Sequence, residues 1–291
     1  MTAIRRIVRW GCLALLPGEV VLFVCLLGGV PLPGVVRVVV EAAVAVVLSA
    51  AVGLLVSDYR RHRAGLPPRA AFLAALGDTL PPSVVKLTVH EVTLSTSFLR
   101  WVSRRGAHGV GEGDTAVAYA SGQTVVVFGF LFVSVVETVA LFFLIPWPAV
   151  HLVVTVLDVW GVYFIVALHA SCVVRPHVLG ADGSLRLRYG ALLDIRVPAG
   201  LIASARVERA YPEGRLGRVG ENGVADLAVA SQTTVTVELT EPLAFVRALG
   251  GRAQARGFRF YAERPAAVVA ALSKRTGETP GSAAVSRTST R

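Results

Sequence analysis

Apolar positions fall into four long runs over the first 174 residues and into short alternating stretches after them. A helix crossing about 30 Å of hydrocarbon needs roughly 20 mostly apolar residues. Four segments reach that length, at about 10–30, 35–57, 123–145 and 148–174. The links between partners, GGVPLPG at 28–34 and PWP at 146–148, are too short to hold a domain. The runs therefore pair as two transmembrane hairpins, 1–57 and 123–174.

Between the hairpins, residues 58–122 read as a connecting segment that is partly helical. Pro67-Pro68 and Pro81-Pro82 each precede a helical stretch, Arg69 to Leu76 and Ser83 to Arg105. The start of the second also alternates as a strand would, at Val85, Leu87 and Val89. GAHGVGEGD at 106–114 is glycine-rich but lacks the Lys-Ser/Thr pair of a phosphate loop, and it reads as a flexible connector.

After Arg175 the period changes to two. VLGADGSLRLRYG reads as a hairpin turning at Ala181-Asp182-Gly183, with Leu185 and Leu187 on one face and Arg186 and Arg188 on the other. Further strands are expected at Leu192–Val197, Ala203–Arg209, Thr233–Leu239 and Arg256–Tyr261. Arg264-Pro265 then opens a helix over Ala266–Leu272. The fold class expected is a four-helix membrane bundle followed by an α+β domain over 175–273, a small antiparallel sheet with one terminal helix. The Ser/Thr/Gly-rich tail, 274–291, reads as disordered.

Three segments, RPHVLGADGSLRLRYGALLDIRVPAGLIASARV, TTVTVELTEP and FRFYAERPAAVVAAL, resemble in order and character the bacterial pleckstrin-homology-like domains attached to membrane hairpins. The layout of most of the chain is similar to that of uncharacterised actinobacterial integral membrane proteins. The resemblance implies a fold and an arrangement, and it carries no catalytic signature. A Gly-rich insertion near Gly214–Gly223 departs from it.

Composition agrees with the pattern: 54% of residues are hydrophobic and 16% charged, against about 25% charged in an ordinary soluble domain. That balance excludes a purely cytosolic protein. Apart from Lys86 and Lys274, all 29 basic residues are arginine, as in a GC-rich bacterial gene. Of the 29, 28 lie before the first run, between the hairpins or after the last, and only Arg37 does not. Cytoplasmic flanks are enriched in Lys and Arg, so both termini and the connecting segment are expected in the cytoplasm of a bacterial cell, in a multi-pass inner-membrane protein. A cleaved signal peptide fits less well, because Pro17 and Glu19 interrupt the first run. Cys12, Cys25 and Cys172 then sit in a reducing setting and read as small packing residues.

Four carboxylates fall inside the runs. Glu41 lies one turn after Arg37, where an i,i+4 ion pair neutralises both. Glu137 and Asp158 each stand about 15 Å from the PWP turn, hence at matching depth. Gln123, Ser134 and Glu137 share one stripe, and His151, Asp158 and His169 another. Facing stripes would form a polar seam that Glu19 could join. Buried carboxylates this close cannot both stay ionised. They either hydrogen-bond between helices and fix the bundle, the reading favoured here, or relay protons or cations.

Candidate lipid contacts are Arg60, Arg61 and Arg63 in the basic stretch and Arg186, Arg188 and Arg196 on the sheet. His90-Glu91 fails the zinc-protease signature at Leu94, and no nucleophile elbow or catalytic triad stands out. No enzyme, cofactor or metal site is expected, and the arginines lack the aromatic interleaving of a nucleic-acid surface. The function expected is a scaffold or interaction module whose cytoplasmic domain contacts a partner protein or the anionic leaflet. The alternative is a small proton- or cation-coupled transporter using Glu137 and Asp158. The partners expected are the lipid bilayer, a protein bound through the C-terminal domain, and further copies of the chain in a homo-oligomer.

Overall fold

A computed structural model of the chain describes residues 6–8, 10–11, 33–248 and 251–276. The first expected span, Glu19, Cys12, Cys25, the side chain of Arg37 and the tail after Thr276 lie outside the described residues. Two compact units are distinguished, one formed by residues up to Glu91 with Leu141–Val156, the other by Val92–Ala140 with residues from Leu157 on.

The first unit holds α1 (Gly34–Arg63), α2 (Pro68–Thr79) and the start of α3 (Pro82–Val102). At 1.5 Å per residue α1 is about 45 Å long, more than the hydrocarbon requires. Its last turn is Arg60-Arg61-His62-Arg63, which sets cations at the negative end of the helix dipole. Pro68 supplies the first turn of α2, where its missing N–H costs nothing. His62 Nε2 and Asp78 Oδ2, 2.9 Å apart, tie α2 back to the end of α1. The stretch that also alternated like a strand, Val85–Val89, lies within α3.

The second unit carries most of α4 (Ser121–Leu144) and α5 (Pro148–Val174) together with two sheets. Three helices, Gly34–Arg63, Ser121–Leu144 and Val150–Val174, are long and apolar enough to cross a membrane. Their large side chains are bare: Phe132 is 70% and Phe143 81% exposed. Apolar area of that extent is stable only against another apolar phase.

One sheet is antiparallel in the order β1 (Thr115–Val117), β2 (His177–Leu179), β3 (Leu185–Tyr189), β4 (Leu193–Val197). The other runs β5 (Ile202–Ala210), β8 (Thr233–Val246), β9 (Arg252–Phe260), β7 (Val224–Leu227), β6 (Arg218–Val219). Within it only β7 and β9 pair in parallel. Leu185, Leu187, Ile195 and Val197 of the first sheet share a core with Val235, Val237, Phe258 and Phe260 of the second. Helix α6 (Pro265–Thr276) adds Val268 and Leu272 to it. Gly257 lets β8 and β9 approach, since a Cβ there would stand 2.7 Å from the Val237 carbonyl oxygen.

Two features differ from the sequence reading. Strand β1 lies within the connecting segment yet pairs with β2 (Val117 opposite His177), so the sheet domain begins before α4. The Gly-rich insertion contributes the edge strand β6, which pairs with β7. Both strands are too short to show a period.

Replacing Phe258 by Ala should cost about 3–5 kcal/mol of stability. Thermal unfolding of the detergent-solubilised chain measures this, and an unchanged transition would contradict the shared core.

Candidate functional site

The described residues concentrate their buried polar chemistry where α4 and α5 meet the sheets. Tyr119, two residues before α4, is fully buried and stacks on His177 with ring centroids 4.4 Å apart. Its hydroxyl donates to the Arg175 carbonyl oxygen (3.2 Å) and accepts the Gly190 N–H (2.7 Å). Both groups sit where backbone leaves a regular element. Gly190 must be glycine, because its φ is +49° and a Cβ would lie 2.3 Å from Ser171 Oγ. At the start of α4, the Ser121 N–H donates to Glu263 Oε1 (3.1 Å), and the Glu263 N–H donates to the Ala118 carbonyl (3.0 Å). A carboxylate at a helix N-terminus also complements the dipole. One turn on, Gln123 Oε1 accepts the Tyr189 hydroxyl at 3.0 Å. Burial pushes the Tyr189 phenol up to about 12 and that of Tyr119 well above its ordinary value.

His177 is enclosed and neutral. Its Nδ1 accepts the backbone N–H of Arg188 (3.0 Å), which leaves the proton on Nε2 to be donated to the Tyr261 carbonyl (3.2 Å). Burial, with the Arg188 charge nearby, lowers its pKa to about 3.

Arg188 corrects an expectation. It is 1% exposed and cannot touch a lipid surface. Its Nη1 donates to the His108 carbonyl at 2.7 Å and its Nη2 to that of Gly109 at 3.4 Å. Burial, with the neighbouring Arg186 charge, lowers its pKa to about 10. The alternation that put Arg186 and Arg188 on one outward face overlooked residues 108–109, which cover that end of β3.

The other expected residues divide. Arg60, Arg61 and Arg63 are exposed, with Arg61 3.2 Å from Asp58 and Arg63 donating to the Leu66 carbonyl. Arg186 is half-exposed and bound through both nitrogens to Asp194 (2.7 and 2.6 Å), which compensates its charge and raises its pKa. Arg196 is exposed. Glu41 is exposed on α1. Glu137 is exposed on α4 and Asp158 half-buried on α5, and no hydrogen bond joins them. Asp158 Oδ2 and His169 Nδ1 are buried and find no hydrogen-bond partner among the described residues. His151 meets Phe142 edge-on, centroids 4.8 Å apart, beside the turn between α4 and α5. No group of three His, Cys, Asp or Glu placed to hold a metal ion occurs among the described residues.

Sequence reasoning missed the Tyr119–His177 pair. The two residues are far apart in the chain, and an aromatic residue flanking a span is ordinarily an interface anchor. No family model matches the chain, and neither a curated protein nor a solved structure shows significant similarity to it.

Two outcomes follow from this junction. Tyr119→Phe removes the acceptor of the buried Gly190 N–H and should cost about 1–3 kcal/mol, read as a lower unfolding temperature. The lowered His177 pKa means that below pH about 6.5 the unfolded chain takes a proton the folded one refuses. Stability should therefore fall as pH drops from about 6.5 towards 3, by up to about 1.4 kcal/mol per pH unit. Melting against pH for the wild-type chain and His177→Gln checks it, since an equal slope in both would assign the effect elsewhere.

Proposed function

We propose that the protein is a multi-pass scaffold of a bacterial inner membrane whose cytoplasmic sheet domain, of pleckstrin-homology-like architecture, is an interaction module for a partner protein or the anionic leaflet. In this reading four spans form two hairpins, both termini are cytoplasmic, and the chain assembles as a homo-oligomer without performing chemistry or binding nucleic acid. The observation that carries it is the pairing of β1 with β2 on either side of α4 and α5. Strands hydrogen-bonded to each other occupy one side of a bilayer, so the chain between them crosses an even number of times, once out and once back. The tight junction around Tyr119 favours a domain held at fixed orientation to its anchor. The charge asymmetry favours the cytoplasmic side, where Lys and Arg accumulate.

A second reading, a proton- or cation-coupled transporter, is favoured by the unpartnered Asp158 Oδ2 and His169 Nδ1 within α5. The exposure of Glu137 weighs against it.

Crosslinking with mass spectrometry on native membranes separates the two. The full-length chain, a chain ending at Arg175 and the double variant Glu137→Gln/Asp158→Asn are compared. The expected result is loss of partners on truncation and an unchanged set in the double variant. Identical sets before and after truncation would overturn the module reading, and an ion flux abolished by the double variant would establish the second.

A further inference from the structure

The Val92–Val102 end of α3 packs along the C-terminal part of α5. Ser95 Oγ and the Tyr163 hydroxyl lie 2.9 Å apart, Phe98 meets the Tyr163 ring edge-on at 5.4 Å, and Arg175 Nε donates to Ser97 Oγ at 3.3 Å. The chain then turns back: Arg100 Nε donates to the Gly106 carbonyl (2.7 Å), and the His108 N–H donates to the carbonyl of Val174 (2.7 Å). These contacts frame a cavity of about 520 Å³ whose wall includes Ser97, Arg100, Ser103, Arg105, His108 and Arg175, and no carboxylate.

Three guanidinium groups and the Ser103 hydroxyl line it, donors of the kind that phosphate oxygens accept from. The volume suits a phosphate-bearing headgroup rather than a bare ion. The surrounding field is positive: burial and the charges of Arg175, Arg188, Arg100 and Arg186 all lower the His108 pKa. Beside the cavity, Leu99, Trp101 and Val102 stand exposed on the same helix turn. Apolar side chains with a tryptophan, set among arginines, match the boundary between headgroups and acyl chains.

We propose that this cavity binds the phosphate of an anionic phospholipid headgroup, held by Arg100, Arg105 and Arg175, with Leu99, Trp101 and Val102 seated at the acyl boundary. The inference rests on the reading above that the sheet domain beyond α5 is a cytoplasmic module beside the anionic leaflet, and it gives that module a defined lipid ligand.

The test is native mass spectrometry of the full-length chain in neutral detergent, titrated with phosphatidylglycerol. The forms compared are wild type, Arg105→Gln, Arg100→Gln/Arg105→Gln and a control of equal charge change on the sheet domain, Arg215→Gln/Arg218→Gln. Charge-assisted hydrogen bonds of ordinary strength predict dissociation constants raised about tenfold or more in the double cavity variant, with the control unchanged. The Arg105 side chain makes no hydrogen bond among the described residues, so Arg105→Gln decides the matter if the double variant does not fold. Equal retention by wild type and Arg105→Gln, or equal loss in cavity and control variants, would overturn the site. Displacement of phosphatidylglycerol by inorganic phosphate would make the free anion the ligand and overturn the lipid assignment. Lipid retention insensitive to the cavity variants, with partners still lost on truncation, removes the lipid site alone. Cavity-dependent retention with partners unaffected by truncation removes the module reading alone.

Discussion

The structure depends on satisfying backbone groups where two long apolar helices give way to a sheet domain. A helix end leaves several N–H or C=O groups without intrahelical partners, and none can be left unpaired inside a packed interior. Tyr119 answers this with one buried hydroxyl that accepts from Gly190 and donates to Arg175. His177 does the same for strand backbone, with one ring that accepts from Arg188 of β3 and donates to Tyr261 just after β9. Because these groups come from β2, β3, the residues flanking α4 and α5 and the segment before α6, the helix ends and the sheets form one packed arrangement within the second unit.

The same arrangement governs where charge is available. Arg188 is used internally, with its guanidinium spent on the carbonyls of His108 and Gly109, and Arg186 is compensated by Asp194. Formal positive charge on a strand is therefore a poor guide to what a neighbouring surface experiences. Arg100, Arg105 and Arg175 line a cavity with no acidic side chain in its wall, while Arg60, Arg63 and Arg196 are exposed elsewhere.

Much of the architecture was legible in the pattern of residues. Three of the four apolar runs coincide with helices of spanning length, because twenty consecutive apolar residues admit few other folds. The turn at Ala181–Gly183 and the inward Leu185 and Leu187 follow from strict alternation. What escaped were contacts between distant segments. Thr115–Val117 is too short for any period to declare it a strand, and only its partner β2 makes it one. Arg188 looked outward by alternation and is covered by a loop that looked flexible. The matching depth of Glu137 and Asp158 follows from helix rise, but which face each presents depends on how α4 and α5 rotate about their axes, and sequence spacing does not determine that.

The parentage of β1 also orders the protein's assembly in time. This strand leaves the ribosome early and has nothing to pair with until both following helices and β2 have been made. Non-local pairing of this kind is slow, since chain closure precedes any gain from the contact. In the topology proposed above, failure of either helix to insert would hold β1 and β2 apart and leave the outer edge of β2 open, the kind of bare edge that invites aggregation. In that topology completion of the sheet reports correct insertion, and a misthreaded chain betrays itself by an unfinished domain.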